Sequence, residues 1–156
     1  MKKVKVRASM LVGAELLLSM ALMRSLPHAQ TSNAFTLTVH VTNAENAKGM
    51  IRAALFPSAD GFPGDTSKAM RTQGAQIDAK TLTSEIVFAS IPPGIYAVSV
   101  FDDENRNGKL DKNFVGMPKE GYGASNNPKK KMGPPAFDDA RFSLKGDQSI
   151  EIVLIH

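Results

Sequence analysis

The chain has 156 residues, of which 42% are hydrophobic and 22% charged, and its formal net charge is +4. These values are ordinary for a single globular domain, and they exclude a wholly disordered chain and a multispan membrane protein. The absence of cysteine also excludes disulfides, thiolate metal sites and thiol nucleophiles.

The N-terminal segment has the pattern of an export signal. Four basic side chains lie within the first seven residues, and the stretch Ala8–Met23 that follows is largely apolar. Ala29 and Ala34 are small residues that suit a cleavage point. The pattern predicts a signal peptide over residues 1–29 and a mature domain over residues 30–156, located in the periplasm or secreted. An uncleaved amphipathic anchor helix is the alternative.

Removal of this leader changes the charge of the protein. The mature part keeps 14 basic and 14 acidic residues, so its formal charge is zero. A nucleic-acid partner, which we do not expect, therefore loses its main electrostatic support. The mature part is also expected to have no stable membrane span.

From Phe35 onward apolar and polar residues alternate with period two, as half-buried strands require. The alternation predicts strands at Phe35–Val41, Ile51–Leu55, Leu82–Phe88, Tyr96–Val100, Ala140–Leu144 and Ile150–Leu154. A helix is compatible only with the short segment Thr66–Gln76. Together these elements predict an all-β antiparallel sandwich, transthyretin-like or Ig-like, with about 6–7 strands.

A connection between two of these strands is unusually long. Residues 102–135 carry five glycines and four prolines and show no clear strand pattern. Such loops are uncommon in compact domains unless they are functional or disordered. Because several apolar residues within this one could pack, we expect one long ordered loop.

The start of this loop has the spacing of a calcium site. Oxygen-bearing residues occupy the positions that correspond to 1, 3, 5, 7 and 9 of an EF-hand loop, namely Asp103, Asn105, Asn107, Lys109 (through its main-chain carbonyl) and Asp111. Gly108 stands at the sharp turn, whereas Phe114 replaces the bidentate glutamate at the last position. The sequence therefore predicts a Ca²⁺ site outside a helix–loop–helix hand.

This incomplete ligand set needs further oxygens, from water or from the acidic residues Asp102, Glu104, Glu120, Asp138 and Asp139. The alternative is a solvated turn without an ion, since Asn-Gly pairs often form hairpins. Crowding of like charges at 102–104 favours a cation.

Four segments of the mature part stand out together, namely Ile51–Pro63, Asp103–Asp111, Gly116–Asn127 and Gly133–Ala140. In combination they resemble a family of exported bacterial proteins, the domain of unknown function 2141. The resemblance extends from about Phe35 to the C-terminus. It implies an exported β-rich domain, and it implies no activity, substrate or catalytic residue.

Three functions are compatible with this sequence. The first is a non-catalytic exported module that binds calcium and has an envelope protein or glycan as its partner. The second is a hydrolase that acts on envelope polysaccharide through loop carboxylates. The third is a purely structural envelope protein. No histidine constellation is present, and we predict no catalytic residue and no enzyme activity.

Overall fold

The computed structural model describes residues 33–129 and 133–156. The signal peptide predicted over residues 1–29 lies outside the described residues. The described strands are β1 (Phe35–Thr42), β2 (Met50–Phe56), β3 (Arg71–Gln76), β4 (Ser84–Ile91), β5 (Gly94–Asp103), β6 (Tyr122–Ala124), β7 (Phe142–Leu144) and β8 (Gln148–Val153). A 3₁₀ turn (Thr66–Lys68) and one helical turn, α1 (Phe137–Ala140), complete the regular structure of these residues.

The strands form two sheets. The first has the order β4-β1-β8, and the second has the order β3-β2-β5-β6, with β7 pairing with a separate segment of β5. β7 pairs with the start of β5, where Gly94 is opposite Leu144, and β6 pairs with its end, where Phe101 is opposite Tyr122. The all-β prediction is confirmed.

The core lies between the two sheets, as the alternation predicted. The inward residues of β1 are Leu37, Val39 and Val41, and they belong to one buried cluster with inward residues of β2 and β5. Burial of these alternate side chains is the main force that holds the sheets together. The outward neighbours in β1 are polar and more exposed.

The sheets are not purely antiparallel. β1 and β8 pair in parallel, with Val39 opposite Ile150, whereas the other strand pairings in the described residues are antiparallel. Parallel neighbours need a long connection between them, and here the rest of the described domain supplies it.

The short segment Thr66–Gln76, where the sequence allowed a helix, forms no α-helix. Only Thr66–Lys68 forms a 3₁₀ turn, in which the Asp65 side chain accepts from the Ser67 backbone N–H, and Arg71–Gln76 is the edge strand β3. β3 is almost entirely exposed, so pairing with β2 rather than apolar alternation makes it a strand. The predicted strand Ala140–Leu144 is shorter, since Ala140 ends α1.

The path of β5 defines two ends of the sandwich. Its first residue, Gly94, pairs with Leu144, and its last residue, Asp103, precedes the long predicted loop. Ten residues of extended chain place these ends about 30 Å apart. We call the end at Asp103 the loop end and the end at Gly94 the opposite end. No helix in residues 33–129 and 133–156 is long and apolar enough to cross a membrane.

Candidate functional site in the loop after β5

The predicted long loop is an enlarged hairpin connection between β5 and β6. We call residues 104–121 the β5–β6 loop. Asp102 donates its backbone N–H to the Gly121 carbonyl at 2.8 Å, which closes the loop at its base. The expectation of a strandless stretch up to residue 135 is wrong, because β6 follows at Tyr122–Ala124.

Three of the predicted metal ligands lie in direct contact. Asp111 accepts hydrogen bonds from the amide nitrogens of Asn105 and Asn107, at 2.7 and 3.0 Å. The Oδ1 atoms of the two asparagines accept backbone N–H groups two residues further on, at 3.0 Å from Asn107 and 2.8 Å from Lys109. These turns curl the chain around the Asp111 carboxylate.

Asp103 anchors the start of this curl. Its side chain is fully buried, and its Oδ2 accepts from the Gly108 N–H at 2.9 Å and from Arg52 Nε at 2.7 Å. Gly108 has a φ of +77°, a conformation that glycine adopts without strain. The second oxygen, Oδ1, is buried and has no hydrogen-bond partner. Such an atom is costly unless a partner satisfies it.

The carboxylates at this end do not form an all-acidic metal cluster. Within the described part of the chain, no group of three or more His, Cys, Asp or Glu side chains is placed to hold a metal ion. The calcium ligands predicted from the sequence are not such a cluster, because only two of them, Asp103 and Asp111, have carboxylate side chains. The other predicted oxygens are the amides of Asn105 and Asn107 and the carbonyl of Lys109.

Glu120 holds the two halves of the β5–β6 loop together. Its buried carboxylate accepts the Glu104 N–H on Oε1 at 3.1 Å and the Asp111 N–H on Oε2 at 2.9 Å. Both oxygens are therefore used by the protein itself. Sequence reasoning offered Glu120 only as a spare metal ligand, because nothing in its local pattern reveals two distant N–H partners.

Asp102 lies on the opposite face of β5 from Asp103. It shares the inward face with Val98 and Val100, it is fully buried, and both of its carboxylate oxygens lack a hydrogen-bond partner. Burial raises the pKa of Asp102 to about 6, and the nearby Glu104 and Glu120 carboxylates act in the same direction. The C-terminal His156 acts against them.

Two of the additional candidate ligands lie outside the β5–β6 loop. Asp138 and Asp139 belong to α1, and Asp138 pairs with Arg141 at 3.0 Å. The last residue of this helix, Ala140, packs against Ala97 in the first half of β5. The structure therefore does not bring these two carboxylates to the predicted calcium ligands.

The β1–β2 connection supports the loop from one side. Arg106, at a φ of +59°, donates from its guanidinium to the Lys48 and Gly49 carbonyls and to Gln76 Oε1, at 3.4, 3.3 and 3.1 Å. A Cβ atom at Gly49 would overlap the carbonyl oxygen of Asp103. Glycine is thus required where these two backbones meet, and the sequence pattern did not reveal either residue.

Fold and site together define a two-sheet all-β protein whose β5–β6 loop is ordered by buried carboxylates. The family described as an uncharacterized protein conserved in bacteria (DUF2141) matches residues 39–152, and the chain belongs to this family. The resemblance found in the sequence is thereby confirmed. No curated protein and no solved structure matches the chain.

Proposed function

We propose that the protein is an exported, non-catalytic β-sandwich module whose β5–β6 loop binds Ca²⁺. The ligands are Asp103 Oδ1, the side-chain oxygens of Asn105, Asn107 and Asp111, and the carbonyl of Lys109. Its partner is an envelope protein or a glycan. Calcium stabilises the module rather than serving a reaction.

The observation that carries this proposal is the unpartnered Oδ1 of Asp103. Its companion oxygen already has two donors, Arg52 and Gly108, so the orientation of the side chain is fixed. Rotation toward solvent is not available to it, because the residue is fully buried. A cation would satisfy Oδ1 without disturbing either donor.

The asparagines fit the same role. Each Oδ1 accepts one backbone N–H, and an amide oxygen has a second lone pair. Calcium prefers six to eight oxygen ligands in flexible arrangements, so water would complete this set. A bound ion replaces the two amide donors that now face Asp111.

A non-catalytic role is favoured by the placement of the most perturbed carboxyl group. A glycosidase needs a carboxylic acid of raised pKa that touches its substrate. The pKa of Asp102 is raised to about 6, but this side chain has no exposed surface and faces the core. The hydrolase hypothesis therefore gains no support from Asp102.

The expected affinity is weak, because only two of the predicted ligands carry charge. Extracellular modules of this kind bind calcium with dissociation constants of about 10⁻⁴ to 10⁻³ M. At about a hundredfold excess over that constant, binding favours the folded state by about 2.7 kcal/mol. For a domain of this size that free energy corresponds to a rise of about 10 °C in the melting temperature.

Thermal melts in EDTA and in millimolar calcium test the proposal. Calcium should raise the midpoint of the wild-type protein, and Asp103→Ala should abolish the rise. Asp147→Ala is the matched control, since its Oδ1 accepts the Thr36 N–H at the opposite end at 2.8 Å. Asp147→Ala should lower the midpoint by the same amount in EDTA and in calcium, so calcium should still raise the midpoint of this variant as it does for the wild-type protein. Equal wild-type midpoints in EDTA and calcium would contradict the calcium site and favour a purely structural protein.

Export has a separate test. Mass spectrometry of the protein recovered from its host should find an N-terminus near Gln30 or Phe35. Recovery of an intact Met1 from the cytosol would contradict the signal peptide and the periplasmic or secreted location.

A further inference from the structure

The far end of the β5–β6 loop presents apolar side chains to solvent. Phe114 is 100% exposed, Val115 64% and Met117 50%. We call residues 112–118 the apolar tip. Phenylalanine at full exposure has no stabilising contact in the monomer, so the folded domain gains nothing from it. Contiguous exposed apolar groups of this kind mark interaction sites.

Hydrogen bonds fix the conformation of the apolar tip. Asn113 Oδ1 accepts the N–H groups of Val115 and Met117, each at 3.0 Å. The Asn113 N–H donates to the Met117 carbonyl at 2.8 Å, and Lys112 pairs with Pro118 across the base. The apolar side chains are therefore held outward on a preformed turn, and binding through them requires little ordering.

The surroundings of the apolar tip are basic. Lys109, Lys112 and Lys119 are exposed, and Asp111 is the only acidic residue between residues 109 and 119. The Asp111 carboxylate already accepts two amide hydrogen bonds. An apolar tip with lysines around its base is complementary to a surface that is apolar inside and negatively charged outside.

We propose that the apolar tip inserts into the surface of an anionic phospholipid bilayer. Phe114, Val115 and Met117 would enter the boundary between headgroups and acyl chains, while Lys112 and Lys119 contact the lipid phosphates. The attachment is peripheral and reversible. It requires neither the calcium site nor a membrane-spanning segment.

A bilayer suits this surface better than a folded protein partner. Specific protein interfaces bury about 800 Å² on each side, which one turn of three apolar side chains cannot supply. Insertion of a single loop into a bilayer has no such minimum area. Lysines at the rim then add to the attraction instead of requiring individually matched carboxylates.

A tryptophan reporter measures insertion directly. Because the chain contains no tryptophan, Phe114→Trp gives one emission signal from the apolar tip. In EDTA, vesicles of phosphatidylglycerol and phosphatidylcholine should shift this emission to the blue, and vesicles of phosphatidylcholine alone should not. Ile95→Trp is the matched control, since Ile95 is 49% exposed and lies at the opposite end. Its emission should not move.

Vesicle co-sedimentation of the protein as isolated from its host then assigns the binding energy. Phe114→Ser should weaken binding to anionic vesicles about tenfold, from loss of apolar burial. Lys112→Gln and Lys119→Gln should each weaken it about fivefold. Ile95→Ser and Lys145→Gln, at the opposite end, should leave it unchanged. All variants keep the same N-terminus, so any contribution from the leader cancels.

Several results would overturn the proposal. They are an unshifted Phe114→Trp emission, equal binding to neutral vesicles, and undiminished binding of Phe114→Ser. A dimer in sedimentation velocity that Phe114→Ser dissociates, without vesicle binding, would assign the apolar tip to a second copy of the chain. Because every vesicle measurement is made in EDTA, failure here leaves the calcium proposal standing, and failure of the calcium melts leaves this one standing.

Discussion

Replacing Glu120 with glutamine changes one oxygen to an NH₂ group without changing the shape of the side chain. The carboxylate accepts backbone N–H groups on both oxygens, at 3.1 Å from Glu104 and 2.9 Å from Asp111. Glutamine can accept only one of them, and its NH₂ group then faces the other donor. A buried hydrogen bond to a charged group contributes about 1.5–3 kcal/mol, and an unsatisfied donor adds to the cost. We expect the closed loop to lose about 2–3 kcal/mol.

Trypsin reports this loss because the β5–β6 loop contains Arg106, Lys109, Lys112 and Lys119. Cleavage tracks the population of the open loop when closing is fast. The loop of Glu120→Gln should therefore be cut about 30- to 150-fold faster than the wild-type loop in EDTA. Glu85→Gln, an exposed strand residue 3.4 Å from His40, is the matched control and should be cut at the wild-type rate. Equal rates for both variants would refute the role of Glu120.

Two further substitutions test the packing and the charge of the loop end. Gly49→Ala should lower the free energy of unfolding in urea by about 1–3 kcal/mol, because the added Cβ overlaps the Asp103 backbone. Gly64→Ala is the control and should leave this free energy unchanged, because a Cβ there meets no atom within 4 Å. The pKa of Asp102 is about 6 in the folded protein and 3.8 ordinarily, so the folded state binds this proton more tightly than the unfolded state does. As pH rises from about 4 to about 6, loss of this proton therefore lowers the free energy of unfolding. In EDTA, Asp102→Asn should therefore gain up to about 3 kcal/mol over wild type between about pH 4 and about pH 7.5, and an equal difference at both pH values would contradict the raised pKa.

The sequence allowed the strands with an apolar inward face to be predicted. In β1 the buried residues are the alternate apolar positions, such as Val39, and in β4 Ile86 and Phe88 follow the same alternation. β3 could not be found in this way, because five of its six residues are exposed and its strand conformation depends on pairing with β2. β6 has only three residues, which is too short for alternation to show.

The sequence placed a long loop after β5 but extended it past β6 to residue 135, and the spacing rule treated adjacent acids as equivalent. Successive side chains of a strand point to opposite faces, so Asp102 and Asp103 cannot reach the same ion once β5 extends through both of them. The prediction ended that strand at Val100. The extra three residues come from pairing with β2, where Asp103 is opposite Met50, and no local pattern encodes that register.

The hydrogen bonds of the β5–β6 loop also determine what calcium can do there. Glu120 already joins the two halves of the loop, and Asp103 already joins it to β2 through Arg52. Because the protein's own groups make these contacts, we expect the loop to be closed in EDTA as well. Calcium binding would instead satisfy Asp103 Oδ1, an atom that at present costs stability. The proposed site therefore predicts a modest increase in stability, with little change in the trypsin cutting pattern, rather than a transition from a disordered to an ordered loop.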